Sequence, residues 1–237
     1  MPQMQIFYSP DITGDNHILE LNESRHIIRV LRMTKGTAVK LIDGKGNLFE
    51  GMIEDPDPKR CSISIKSVIR NFEKRDFRLH IAISPLKNAD RFEWFIEKSV
   101  EIGIDSIIPL ICRNTEKPGI KVERINNLII SAMKQSLKAF RPVLGEPVSF
   151  DDFIGGELTG KRMIAHCNEL FERKKITDAL FRNDDAVILI GPEGDFSIEE
   201  IMKASAKGFE NIHLGKSRLR TETAGIAACH SVYLINQ

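Results

Sequence analysis

Apolar and polar positions along the 237-residue chain change rhythm once, close to residue 72. Before that point the apolar runs are short and partly alternating. Residues 5–8, 17–21, 39–42, 47–53 and 61–69 read as strands, because successive strand side chains point to opposite faces. Asp43-Gly44-Lys45-Gly46 between two of these runs predicts a hairpin turn, since glycine and aspartate accept the dihedrals it needs. One helix is expected over residues 23–33, capped by Asn22 and stopped before Gly36. Strands and turns around a single helix predict a small β-barrel domain over residues 1–72.

Residues 71–78 (NFEKRDFR) are polar and charged and read as a linker. From there to residue 237 the pattern alternates strand with helix. Apolar runs at 79–84, 106–112, 163–167 and 186–190 are strands. A helix over 89–102 carries Phe92, Phe95, Ile96, Ser99 and Val100 on one face, with Gly103 as its stop. A longer helix carries Ile125, Leu128, Ile129, Ala132, Met133, Ser136, Leu137 and Phe140 and ends before Pro142, because the residue preceding proline disfavours the helical region. Apolar strands alternating with amphipathic helices predict an α/β domain, a parallel sheet covered on both faces. Ligands in such sheets sit beyond the carboxyl ends of the strands.

Two glycine-bearing bends stand at such ends. The first is AVILIGPEGDFSIEE (residues 186–200), an apolar strand running through Gly191-Pro192-Glu193-Gly194 to a helix that Ser197 and Glu200 start as a capping box. It is not a nucleotide-binding P-loop, because no Gly-Lys-Ser/Thr follows. The second is NIHLGKSRLRTETAGIAA (residues 211–228), which passes Gly215 and becomes a helix near Thr221. Lys216, Arg218 and Arg220 lie between Asn211 and Thr221 with no acid among them. The small residues Ala224, Gly225, Ala227 and Ala228 would let another backbone approach that helix, from a neighbouring loop or a partner subunit.

Composition adds limits. The formal net charge is +1, with 42% apolar and 28% charged residues. No global positive field draws the chain to nucleic acid, so any RNA contact must come from local patches. Arg25, Arg29 and Arg32 recur at i, i+4 and i+7 beside His26, which would align them on one helix face. Lys134, Gln135 and Lys138 form a second polar group. Cys61, Cys112, Cys167 and Cys229 are far apart and form no metal-ligand pair or disulfide pattern. The N-terminus has no signal-peptide pattern, and no apolar run is long enough to cross a bilayer. The expectation is a soluble cytoplasmic protein without a metal or a membrane partner.

The two bends resemble those of the SPOUT methyltransferases, and more closely the ribosomal RNA small-subunit uridine-N3 methyltransferase E family. That family reads approximately GPEGG-F-S-x-x-E and then LG-x-x-I-L-R-T-E-T-A; here the residues are GPEGDFSIEE and LGKSRLRTETA. SRHIIRVLR followed by Gly36, FIEKSVEIGIDSIIP (residues 95–109) and AMKQSLKAFRP (132–142) resemble further blocks of the family, in the same order. Asp195 stands in place of a third glycine, Lys138 in place of an arginine, and Arg218-Leu219 in place of an aliphatic residue before leucine.

The resemblance implies a PUA-like RNA-binding barrel at 1–72 and a deeply trefoil-knotted methyltransferase domain at 73–237. It implies S-adenosyl-L-methionine as cofactor, a homodimer whose site is completed across the interface, and N3 of a uridine in 16S rRNA of the small ribosomal subunit as target. The apolar ends Leu189-Ile190, His213-Leu214 and Leu219, with Ala224, would hold the adenine and methionine chain, and amides at Gly191, Gly194, Gly215 and Thr221 its polar edges. Arg220 would stabilise charge on the base, with Glu222 or Glu193 orienting it or accepting its proton. Arg25, His26, Arg29, Arg32, Lys134, Gln135, Lys138, Lys216 and Arg218 would contact RNA. A tRNA or ribose-hydroxyl target, or a non-catalytic assembly factor that kept the fold, would leave the same superfamily motifs.

Overall fold

The computed structural model describes residues 6–237, so residue 5 of the first expected strand lies outside the described residues. The chain forms two compact units. One comprises Met1–Lys74 with Ile130–Arg141, the other Arg75–Ile129 with Pro142–Gln237. A single change of rhythm near residue 72 does not convey the return of residues 130–141 to the first unit.

In the first unit, β1 (Ile6–Tyr8), β2 (Asn16–Ile18), β3 (Ala38–Ile42), β4 (Leu48–Asp55) and β5 (Ser62–Ile69) form a sheet in the order β1-β3-β4-β5-β2. β1 pairs parallel with β3 and the other pairings are antiparallel. The alternation works as expected, with Val39, Leu41, Ile53, Ile63 and Phe7 turned into one apolar cluster. In the hairpin, Gly44 and Gly46 take φ 75° and 96°. Asp43 Oδ1 accepts the Lys45 and Asn47 amides at 2.8 and 3.1 Å, closing the turn.

The expected helix over 23–33 is corrected. It is a short α1 (Leu21–Arg25) followed by a wider π-type turn, His26–Val30. Asn22 does not cap it; Glu20 holds that position without a side-chain bond. Arg32 has φ 54°, outside the helical region, so Arg25, Arg29 and Arg32 are not aligned by α-helical spacing. The cause is packing. Ile27 is fully buried, and the Ser24 hydroxyl donates to the Leu19 carbonyl and accepts the Cys61 amide, which holds the segment by tertiary bonds.

The second unit is built on β6 (Leu79–Ile83), β7 (Ser106–Ile111), β8 (Val143–Leu144), β9 (Val148–Ser149), β10 (Lys161–Ala165), β11 (Lys174–Lys175), β12 (Ala186–Ile190) and β13 (Glu210–His213). Every pairing is parallel, in the order β11-β13-β10-β12-β6-β7-β8 with β9 also on β7. β12 is buried along its whole length, as expected of a central strand covered on both faces. The helices are α2 (Ala89–Ile102), α3 (Val122–Ser136), whose residues from Ile130 onward belong to the first unit, α4 (Phe150–Gly155), α5 (Ile176–Ala179), α6 (Ile198–Ala206) and α7 (Thr221–Ile235).

α2 has the expected bounds, with the Asn88 side chain accepting the Asp90 amide and Gly103 ending it at φ 117°. α3 stops earlier than its stripe suggests. Leu137 at φ 61° terminates it, and Phe140 lies beyond the helix against Gly46, where a Cβ would come within 2.3 Å of the ring. The expected linker is also anchored at its far end. The Arg75 guanidinium donates to the Gly103 carbonyl at 2.6 Å and to Asp105 at 2.7 Å, and lies over the Phe77 ring.

Candidate functional site

The bends after β12 and β13 do meet. Thr221, the first residue of α7, donates its hydroxyl to the Gly191 carbonyl at 2.9 Å, and both residues are buried. The Ser197–Glu200 capping box forms as read from the sequence and fixes where α6 leaves the first bend. Space at Gly191 is tight, since a Cβ there would stand 3.1 Å from the Phe196 ring, which would have to give by a few tenths of an ångström. Gly215 holds φ 126°, which side-chain-bearing residues rarely adopt.

Between the bends lies a cleft of about 430 Å³, within the usual range of small-molecule sites, roughly 300–1,000 Å³. Of the expected cofactor residues, Ile190, Gly191, His213, Leu214, Gly215, Leu219, Thr221 and Ala224 line it. The three expected catalytic residues, Glu193, Arg220 and Glu222, line it too. Arg218, assigned above to RNA, is also part of the wall.

Two expected cofactor residues do not line the cleft. Leu189 alternates away from Ile190 and is fully buried with Ala82, Leu110, Ile164 and Phe196. Gly194 stands beside the wall, where a Cβ would meet the Asn114 side chain at 3.2 Å. Lys216 is exposed and also off the wall.

The electrostatics of the cleft are mixed. Glu222 is 5% exposed in the first turn of α7, where its charge complements the helix dipole. Its nearest cation is Arg91, with Nε 3.8 Å from Oε1. Arg220 precedes α7, is exposed, and has no ion pair among the described residues. No side chain caps the α7 N-terminus, and the amides of its first three residues have no acceptor among the described residues, leaving donors beside Arg220. Glu193 is exposed and accepts the Lys87 amide at 3.2 Å.

Sequence reasoning missed one wall. Ala165 at the end of β10 and His166, Cys167 and Arg173 after it line the cleft opposite the two bends, with Arg91 of α2; Asp195 and Ser217 line it from the bends themselves. His166 is 4% exposed, and its Nε2 lies 3.1 Å from Asn211 Oδ1 while Nδ1 has no partner among the described residues. Burial pushes its imidazole below the ordinary value, against the bond to Asn211 and the charge of Asp195. The signal available was modest: β10 is another strand whose carboxyl end points to the same edge as β12.

The small face of α7 has a local explanation. A Cβ at Gly225 would come within 2.5 Å of the Phe95 ring and 3.0 Å of Ile83, so Gly225 lets α7 pack on α2 and β6.

In the first unit, Arg25, His26, Arg29 and Arg32 are exposed. The tail of α3 presents Gln135 to solvent, but Lys134 and Lys138 are half-buried and paired, with Glu23 at 2.7 Å and Glu73 at 3.7 Å. No group of acidic, histidine or cysteine side chains among the described residues is arranged to hold a metal ion, and no described helix is long and apolar enough to cross a membrane.

The architecture and these motifs have relatives. Residues 73–233 match the model of the RNA methyltransferase domain, and residues 19–66 that of the RNA methyltransferase PUA domain. A ribosomal RNA small subunit methyltransferase E of Rickettsia conorii is 28% identical over 94% of this chain and 92% of its own length. The crystal structure of a probable rRNA-methyltransferase from Porphyromonas gingivalis superposes with a TM-score of 0.92 at 40% identity, covering 98% of each chain. A ribosomal RNA small subunit methyltransferase E from Neisseria gonorrhoeae, solved bound to S-adenosyl methionine, superposes with a TM-score of 0.90 at 26% identity, covering 99% of this chain and 98% of that one.

Proposed function

The chain belongs to the RNA methyltransferase family, with that family's PUA domain ahead of the methyltransferase domain, and on that premise we propose that it methylates N3 of a uridine in 16S rRNA of the small ribosomal subunit, using S-adenosylmethionine. The observation that carries this reading is the buried Thr221–Gly191 hydrogen bond, which joins the two motif-bearing bends around one cleft.

The residues present fit the cofactor. Ile190, Leu214 and Leu219 supply apolar wall, while free amides at the start of α7 supply donors in the same cleft. Gly191, packed closely on Phe196, adds no side chain to the cleft wall at the strand end. When bound, the cofactor supplies a methyl group made electrophilic by its sulfonium.

The protein's task is to align the acceptor nitrogen, stabilise the charge that develops on the base and take its proton. A uridine N3 lies on the pairing edge, so the base must be unpaired or extruded to enter the cleft. Holding it in line can account for roughly 7–11 kcal/mol of the barrier. Arg220 is exposed on the cleft wall and without an ion pair among the described residues, and its guanidinium would stabilise the negative charge that a uracil oxygen gains. Glu222, buried beside Arg91, would accept the proton or orient Arg220; Glu193 is the more solvated alternative.

The exposed Arg25, Arg29 and Arg32, with His26 and Gln135, are the surface of the first unit that would hold phosphates. Lys134 and Lys138 would join them only by leaving their carboxylates. The same reading carries a trefoil-threaded methyltransferase domain, a homodimer and residence in the cytoplasm.

The test is methyl transfer to purified small subunits, followed by mass spectrometry of nucleosides. 3-Methyluridine at one position, formed far more slowly with Arg220→Ala, is the expected result. A methylated tRNA or ribose in its place would refute the target, and absence of S-adenosylmethionine binding by calorimetry would refute the enzyme.

A further inference from the structure

Asp195 is an aspartate in a left-handed conformation, φ 61°, at the outer rim of the first bend. Side-chain-bearing residues rarely take that conformation, and aspartate does so more readily than most because its short carboxylate bonds locally. Here the carboxylate does more than that. Oδ1 accepts the adjacent Phe196 amide at 2.8 Å, and Oδ2 reaches across to the Cys167 amide, also at 2.8 Å. The backbone of the bend is held from behind, where the Asn114 amide group donates to the Gly194 and Asp195 carbonyls at 3.3 and 3.0 Å.

Cys167 follows His166 on the wall after β10, and Arg173 further along donates to the His166 carbonyl at 2.7 Å. The loop after β10 is therefore tied at two points, by its own arginine and by an acid from the neighbouring bend. His166, Cys167, Arg173 and Asp195 all face the cleft.

We propose that Asp195 is a positioning residue for the methyl donor: its carboxylate latches the loop after β10 against the bend after β12 and so closes the third wall of the cofactor cleft. This rests on the reading of the cleft as the S-adenosylmethionine site. Glycine, which the family pattern carries at this position, would suit the left-handed backbone but could not reach the Cys167 amide. The third wall is the end of β10 and the loop after it, and the acid ties that loop to the bend after β12. A hydrogen bond from an amide to a carboxylate is among the stronger ones, so its loss should be measurable.

The test compares wild type with Asp195→Gly and Asp195→Asn. Glycine relieves the backbone and removes the latch. Asparagine tolerates the backbone, but its amide offers one acceptor where two amides point. Calorimetry with S-adenosylmethionine should show Kd raised about tenfold in Asp195→Gly, the equivalent of about 1.4 kcal/mol, and by a smaller factor in Asp195→Asn. The KM for S-adenosylmethionine should rise by more than kcat falls, and the Cys167 amide should exchange hydrogen faster. A thermal midpoint in Asp195→Gly at or above that of wild type would show that the fold is intact.

If both variants bind the donor within twofold of wild type, the proposal is wrong, whether or not Cys167 exchanges faster. A fall in kcat with unchanged KM refutes it as well. Wild type that binds no S-adenosylmethionine would instead overturn the reading of the cleft.

Discussion

The Thr221–Gly191 hydrogen bond is the most direct point at which to challenge this account of the site. Thr221→Val keeps the shape of the side chain and replaces the hydroxyl with a methyl group. The Gly191 carbonyl is then buried without a partner, because no second donor among the described residues reaches it. An orphaned buried acceptor costs about 1–3 kcal/mol. For a chain of this size each kcal/mol corresponds to a fall of about 2–4 °C in thermal midpoint. Scanning calorimetry should therefore place Thr221→Val several degrees below wild type, with Thr221→Ser close to wild type. The same variant should bind S-adenosylmethionine more weakly, because α7 and the bend after β12 would no longer be held together. A Thr221→Val protein with unchanged midpoint and unchanged donor affinity would refute the claim that this bond assembles the cleft.

Three further outcomes follow from the same geometry. Arg220→Ala should lower kcat by about 10²–10³, the scale for removing one donor to developing negative charge, with S-adenosylmethionine affinity kept; loss of donor binding alone would show that Arg220 serves the cofactor. Maleimide should label Cys167 first, since it is the exposed thiol while burial pushes Cys61 up to about 11 and Cys229 up to about 12, and saturating S-adenosylmethionine should slow that labelling; unaffected labelling would place the donor elsewhere. Because burial lowers the His166 imidazole in the folded state, the unfolded state binds the proton more readily, so its contribution to stability is present above about pH 6.5 and is lost as the pH falls toward the depressed folded value. Urea midpoints measured from pH 8 to pH 5 should fall less steeply in His166→Gln, and parallel curves would refute the assignment.

Local signals were legible in the sequence wherever the determining interaction was itself local. The Asp43–Gly46 turn, the α2 bounds and the Ser197–Glu200 box depend on residues within a few positions of one another, and the structure has them as read. Burial of β12 followed from an unbroken apolar run. Partners distant in sequence defeated the same method. Ile27 and the Ser24 hydroxyl turn the 21–30 segment from a regular helix into α1 and a wider turn, and with it the arginine spacing loses its meaning. Phe140 continues the apolar stripe of α3 yet leaves the helix to lie against Gly46.

The candidate site divides in the same way. The residue types of both bends, and the carboxyl-end rule that places them at a sheet edge, were available from sequence alone. Which of those residues face the cleft was not, because strand alternation turns Leu189 into the core and Ile190, also buried, toward the cleft, and only the register of β10 and β12 settles that choice. The Arg91–Glu222 approach, the Cys167–Asp195 latch and the pairing of Lys134 with Glu23 join residues far apart in the chain. Side-chain chemistry is written one residue at a time, whereas proximity is a property of the packed sheet and helices, so the chain itself determined the chemistry available and the tertiary structure decided which groups meet.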